Sequence, residues 1–182
     1  MEPLQIIQKH YDTQSKAYSL LVNHSTWVAE KAVELAKRID PSGLDLEFIH
    51  QAAMLHDIGI FRVNAPGLDC HGDLHYLLHG IQGREILDAE NMPLHGLVCE
   101  RHVGVGIPRR EANSLGMGLP DRDMRPQSTE EKIICYVDKF HSKNGHAQGV
   151  VKSVEDIIQG LTALGLDKCQ VFTQWMEEFG LP

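Results

Sequence analysis

Apolar residues recur at helical spacing along most of this 182-residue chain. Leu4, Ile6 and Ile7 begin a short helical pattern that runs towards Tyr11, and Asp12, Thr13 and Ser15 then offer capping oxygens. From about Ser15 to Arg38, Leu20, Leu21, Val28, Ala32, Leu35 and Ile39 share one broad face, with Lys31, Glu34, Lys37 and Arg38 largely outside it. Pro41-Ser42-Gly43 ends that helix. Leu44 to Ile58 predicts another, with Phe48, Ile49, Ala52 and Leu55 facing inward. Phe61 to Asp73 contains Pro66, Gly67 and Gly72 and reads as a loop able to cover a pocket.

The helical pattern resumes from His75 to Glu90 and again from Pro93 through His102, where Glu100 and Arg101 are expected to turn away from the apolar face. Gly104 and Gly106 stop it. Gly104 to Ser128 is irregular apart from a brief helix over Arg109 to Leu115, and so long a connection is usually functional. Ser128, with Glu131 three residues on, is a helix start for Thr129 to Ser142, whose core side is Ile133, Ile134, Val137 and Phe140. Helices from Val154 to Leu164 and from Lys168 to Phe179 complete the pattern, joined at Gly165. With no alternating strand pattern and no repeat, the expectation is an all-α protein, a single-domain helical bundle.

Composition narrows the function classes. A chain that is 42% hydrophobic and 23% charged has the makings of an ordinary globular core. Its formal net charge of −8 argues against holding nucleic acid by broad phosphate neutralisation, which needs a basic face. No apolar run approaches bilayer length and the amino terminus lacks an export signal, so no membrane partner is expected and the cytoplasm is the expected location. Cys70, Cys99, Cys135 and Cys169 show no zinc-knuckle or redox spacing and read as reduced, mostly buried residues.

Candidate chemistry centres on Leu55-His56-Asp57-Ile58-Gly59. Imidazole and carboxylate are good ligands for divalent transition metals, and neither is easily buried without a partner. The following glycine would let the backbone turn. His24 lies on the inward stripe between Leu20 and Val28, a position where a histidine on its own reads as a hydrogen-bonded core residue. Asp138 follows Ile134 by about one turn and so shares its buried face, which demands a cationic partner. His75 and His79 are one turn apart and can share a face. Arg109, Arg110, Arg122 and Arg125 make the Gly104 to Ser128 segment a candidate for binding anions.

This ordered set, one histidine, a His-Asp doublet and a later aspartate, resembles the hallmark of the HD-domain phosphohydrolase superfamily. The resemblance spans about Val22 to Phe140, with Asn23-His24-Ser25, Leu55-His56-Asp57-Ile58-Gly59 and Tyr136-Val137-Asp138-Lys139 as its motifs. It implies a helical metal-binding core with His24, His56, Asp57 and Asp138 around one ion, and the apolar residues of the helices within 153–179 are expected to pack on that core in one domain. In branches with a second metal, Leu78-His79-Gly80 and Glu100-Arg101-His102 match the segments that supply further histidines, which implies His79 and His102 as its ligands and Asp57 as the bridge. Val103 stands where a paired histidine is often found, and Ile60 where many relatives have a lysine. Arg62, Arg109, Arg110 and Lys139 are then the candidates for substrate contact. His71, His75 and His95 are expected outside the ligand set.

Mixed nitrogen and oxygen ligands without thiolate leave iron, manganese, nickel, cobalt and zinc open, as one ion or two. The implied activity is cleavage of a phosphoester or phosphoanhydride in a small phosphorylated metabolite, a nucleotide or dinucleotide, by metal-activated water, with Asp57 central to that activation. A cyclic-nucleotide or dinucleotide phosphodiesterase is the alternative within this chemistry, and a nucleotide sensor without turnover is the alternative outside it.

Overall fold

The computed structural model describes residues 2–143 and 150–182. Among these the chain is predominantly helical, with two short antiparallel strand pairs that the alternation pattern was too brief to announce. Helix α1 (Pro3–His10) starts on a proline, whose missing N–H costs nothing at that position. Helix α2 (Lys16–Ile39) begins where the Ser15 hydroxyl accepts from the Tyr18 N–H, and it buries His24 and Ser25 along with its apolar stripe.

Helix α3 (Leu46–Leu55) is capped by the Asp45 carboxylate on the Phe48 N–H. It stops earlier than its apolar pattern predicts. Asp57 leaves helical geometry at φ −106° and ψ 9°, and the chain continues as a 3₁₀ turn over Ile58–Arg62. The His-Asp doublet therefore sits at a break in the backbone, where consecutive side chains can serve one centre. Strands β1 (Asn64–Ala65) and β2 (Cys70–His71) then form a small hairpin.

A further 3₁₀ turn, Tyr76–Leu78, replaces the start of the helix expected from His75, and the His75 ring caps it by accepting from the Leu77 N–H. Helix α4 (His79–Ala89) pairs closely with α5 (Pro93–Arg101), and α3 lies on α5. Helix α6 (Arg109–Leu115) is the one helix within the long connection. Helix α7 (Thr129–Asp138) opens at the Ser128 cap and packs on α2 and α3. Beyond it, strand β3 (His141–Ser142) takes over from the expected last helical turn and pairs with β4 (Val150–Val151).

Helix α8 (Val154–Leu164) carries a capping box between Ser153 and Asp156, and α9 (Leu166–Phe179) packs on both α8 and α7. The core joins Leu21, Val28 and Leu35 of α2 to Ile49 and Leu55 of α3 and to Ile133, Ile134 and Val137 of α7. Into it Phe172 and Phe179 of α9 bring rings that lie against Tyr136. Helices α2, α3, α4, α5 and α7 each carry, or end beside, a member of one buried polar centre.

The glycine after the doublet has a different role from the one its position suggests. Gly59 does not adopt a left-handed backbone. A Cβ there would overlap the backbone of His79 and Gly83, so the residue permits α4 to close against the turn that follows Asp57.

Candidate metal centre

Six side chains expected as ligands converge. His24, His56, Asp57 and Asp138 form one buried group, and Asp57, His79 and His102 form a second. Asp57 divides them: its Oδ2 lies 3.2 Å from His56 Nε2 and 3.5 Å from His24 Nε2, while its Oδ1 lies 3.3 Å from both His79 Nε2 and His102 Nε2. Asp138 Oδ1 closes the first group at 2.9 Å from His24 Nε2 and 3.4 Å from His56 Nε2.

These separations suit an ion. Ligand atoms about 2.1 Å from a common centre stand about 3.0 Å apart at neighbouring octahedral corners and about 3.4 Å apart at tetrahedral ones. The His24 to His56 separation of 3.2 Å falls in that interval, as does the 3.1 Å between His79 and His102.

Proton positions support the same conclusion. Nδ1 of His56 lies 2.6 Å from the Ala53 carbonyl, that of His79 2.7 Å from the Tyr76 carbonyl and that of His102 2.8 Å from the Cys99 carbonyl. A carbonyl can only accept, so each Nδ1 carries a proton and Nε2 is the nitrogen that each ring turns towards the centre. No carbonyl of the described residues takes this role for His24. Its Nδ1 meets His141 Nδ1 at 2.9 Å, and the His141 ring is held by stacking on Trp27.

Two carboxylates are buried in this pocket, and the charges that meet them come from the chain itself. Burial pushes His24 down to about 3 and His102 down to about 4, which keeps both neutral. Burial would lower His56 too, yet the Asp57 and Asp138 carboxylates outweigh it and raise that ring to about 9. Both carboxylates are held well below their usual range against the cost of burial, Asp57 chiefly by Lys143 and Asp138 chiefly by Lys139. Asp57 Oδ1 has no hydrogen-bond partner among the described residues although it is buried. An orphaned carboxylate oxygen faced by two imidazole lone pairs is a donor set for a divalent metal.

The residues fit a metal and match a family along the same stretch. The HD domain model covers residues 21–143. The chain belongs to the HD-domain family. That membership, with the buried His and Asp cluster, supports a metal-dependent hydrolase. An uncharacterized protein of Methanocaldococcus jannaschii is 35% identical over 140 residues, covering 74% of this chain and 75% of its own length. A tRNA (cytidine(56)-2'-O)-methyltransferase of Thermoplasma volcanium is 31% identical over 170 residues, covering 89% of this HD-domain chain and 46% of the methyltransferase. The enzyme of the same name from Picrophilus torridus is 29% identical over 169 residues, covering 83% of this chain and 45% of its own. The HD-domain chain thus spans less than half the length of each methyltransferase. No solved structure matches it significantly.

A cavity of about 800 Å³ opens onto this HD-type centre. Its floor includes His79, His102, Asp138 and His141, with Lys139, Lys143 and Lys152 among the cations around it and Ile107, Leu115, Ile157 and Leu161 on the apolar side. Lys139 pairs with Asp138 Oδ2 at 2.7 Å. Arg62, Arg109 and Arg110 lie elsewhere: Arg62 pairs with Gln82 and Glu85, Arg109 with Asp121 and Arg110 with Asp167, and none of the three lines this cavity. Arg125 pairs with Asp123.

Glu100 also differs from expectation. It does not turn outward but is buried between Arg84 and Arg122, each 2.6 Å from its Oε2. Arg101 meets Glu131 at 2.7 Å. Ile60 is buried in the core, and Val103 lines the cavity without offering a ligand atom. His71 is exposed beside Asp69, His75 is a cap, and His95 meets Gln51, so these three stand outside the metal groups.

Two participants carried no sequence signal strong enough to single them out. His141, three residues after Asp138, belongs to no motif, yet its Nδ1 meets that of His24. Lys143 lies beyond a strand that the pattern did not predict, and its ammonium contacts Asp57 Oδ2 from 86 positions away in the chain.

No described helix is long and apolar enough to cross a membrane.

Proposed function

We propose that this protein is a metal-dependent phosphohydrolase that cleaves a phosphoester or phosphoanhydride of a small phosphorylated metabolite, with a nucleotide or dinucleotide as the substrate class. The observation that carries the reading is Asp57, whose two carboxylate oxygens face two separate histidine groups behind a cation-lined cavity. His24, His56, Asp57 and Asp138 would hold one divalent ion and Asp57, His79 and His102 a second. Ions so held supply an acidified water and polarise a phosphoryl oxygen.

The chain's own residues do the rest. Backbone carbonyls behind His56, His79 and His102 fix each ring's tautomer, so no ligand must reorganise when charge builds at phosphorus. Lys139, already held against Asp138, presents positive charge beside the cavity, and the apolar side of α8 offers a surface for the uncharged part of a substrate. Three protein ligands in the second group leave positions there open to water and substrate.

The methyltransferase relatives raise a second reading, in which a domain of this kind serves tRNA modification. A net charge of −8 and a cavity of about 800 Å³ favour a small substrate over an extended RNA. The decisive experiment is metal analysis of the purified protein followed by assay, with Mn²⁺, Fe²⁺, Co²⁺, Ni²⁺ or Zn²⁺ added, against nucleoside monophosphates, dinucleoside polyphosphates, cyclic nucleotides and cyclic dinucleotides. Release of inorganic phosphate from a nucleoside monophosphate, or of two nucleotides from a dinucleoside polyphosphate, supports the proposal. Cleavage of cyclic substrates alone would make it a phosphodiesterase, and metal binding without turnover on any of them would make it a sensor.

A further inference from the structure

Lys143 stands where the first ligand group meets the cavity. Its ammonium contacts Asp57 Oδ2, lies 3.3 Å from His24 Nε2 and approaches Asp138 Oδ1 at 3.9 Å. Three of the four ligands thus already converge on a cation, and it belongs to the chain itself. Lys143 lines the cavity, while His24, His56 and Asp57 do not. The ammonium therefore lies between the cavity and the deepest ligands.

An ammonium and a divalent ion cannot share this place. Both need the outward lone pairs of Asp57 Oδ2 and His24 Nε2, and two positive charges at such close range in a buried setting repel strongly. The lysine stem is flexible and its root lies just past β3, so the side chain can swing without the fold moving. The side from which it comes is the cavity.

We propose that Lys143 has two stations: with the first metal position free of a divalent ion its ammonium neutralises the Asp57 and Asp138 pair, and on metal loading it moves into the cavity to bind phosphoryl oxygens of the substrate. This rests on reading the four-ligand group as a metal site. It gives the site a resident counter-charge, so that two buried carboxylates never stand uncompensated, and it delivers a compact positive charge to the phosphate at the moment the metal is in place.

Metal affinity tests the first station independently of turnover. Chelator-stripped wild type, Lys143→Met, Lys143→Gln and Lys139→Met are titrated with Mn²⁺ alone by calorimetry. Lys139→Met removes a charge from the same carboxylate pair without emptying the ligand group. If the lysine-in conformer dominates, both Lys143 variants should bind the first Mn²⁺ about tenfold more tightly or better, and Lys139→Met should change it less. The Gln variant retains a hydrogen-bond donor for Asp57, and circular dichroism of the Mn²⁺-loaded forms confirms that each is folded.

The second station is read by titrating the Mn²⁺-loaded proteins with inorganic phosphate, where the Lys143 variants should bind about tenfold more weakly. First-ion affinity that is unchanged, weaker, or tightened equally by Lys139→Met overturns the proposal. Tighter Mn²⁺ with unchanged phosphate affinity overturns the second station alone. No Mn²⁺ binding by any of the four proteins overturns the metal reading itself, which distinguishes that failure from the failure of Lys143.

Discussion

His79 and His102 point their Nε2 atoms at each other across 3.1 Å, and both rings carry their proton on the opposite nitrogen. Two lone pairs held face to face repel, and the buried Asp57 Oδ1 beside them adds negative charge. A divalent ion bound by all three turns that repulsion into coordination. Lys143 contacts Asp57 Oδ2, whereas Oδ1, the oxygen turned to His79 and His102, has no described lysine or arginine paired with it. Its demand for metal should therefore be direct. His102→Ala is expected to lower bound Mn²⁺ from two ions per chain towards one while the first site stays filled, as read by elemental analysis after gel filtration in Mn²⁺. Retention of two ions would remove His102 from the ligand set.

Asp57 serves both groups, so its loss should not be confined to one. Asp57→Asn keeps the volume and one oxygen but removes the charge that compensates two ions. The expected result is loss of both metals at micromolar Mn²⁺ and a fall in kcat of more than about a hundredfold, beyond the 10 to 100-fold typical of outer-shell partners. Normal stoichiometry in this variant would mean that Asp57 does not bridge.

Helix periodicity made the inward positions of His24 and Asp138 legible, because each lies on an apolar stripe that had to face inward, while the expectation of His79 and His102 as ligands came from the family resemblance. Asp138 is the clearest case: its place one turn after Ile134 could only be buried, and a buried carboxylate needs a cation. The remainder depended on contacts between distant segments. The arginines from Arg109 to Arg125 looked like free anion receptors because spacing does not reveal that Asp121, Asp167, Glu100 and Asp123 would meet them. Glu100 was placed outside the helix face for the same reason, since its burial follows from Arg84 and Arg122 arriving from other elements. Lys143 was invisible because the turn after α7 carries no periodic signal.

Gly59 couples the doublet to α4 through backbone contact, and this gives a prediction with two readouts. Gly59→Ala places a methyl group against the backbone of His79 and Gly83, where no flexible side chain can yield. Overpacking of this kind costs roughly 1–3 kcal/mol, and in a chain of this size each kcal/mol lowers the melting temperature by about 2–4 °C. Because the clash displaces the backbone that carries His79, the second Mn²⁺ should weaken more than the first. A variant that melts lower but retains both ions at wild-type affinity would show that α4 shifts without disturbing its histidine.

Glu100 ties together the two helices that carry the second pair of histidines, for Arg84 belongs to α4 with His79 and Glu100 to α5 just before His102. Arg122 adds the long connection to the same carboxylate. Burial would raise the Glu100 carboxyl, but hydrogen bonds from Arg122 and Arg84 outweigh that and hold it below its ordinary 4.5. A carboxylate with a depressed folded value binds fewer protons in the native state than in the unfolded one. Its stabilisation is therefore complete above the unfolded value near 4.5 and fades as pH falls through the folded value. Glu100→Gln should cost roughly 1–3 kcal/mol at neutral pH, the scale of hydrogen bonds to charged groups. The gap between variant and wild type, read from urea midpoints, should close as pH drops below that range. A gap that persisted undiminished in acid would mean that packing, and not the charge, accounts for the residue. At neutral pH the same variant should also bind its second Mn²⁺ more weakly, because the strut that sets the spacing of His79 and His102 has lost its ion pairs.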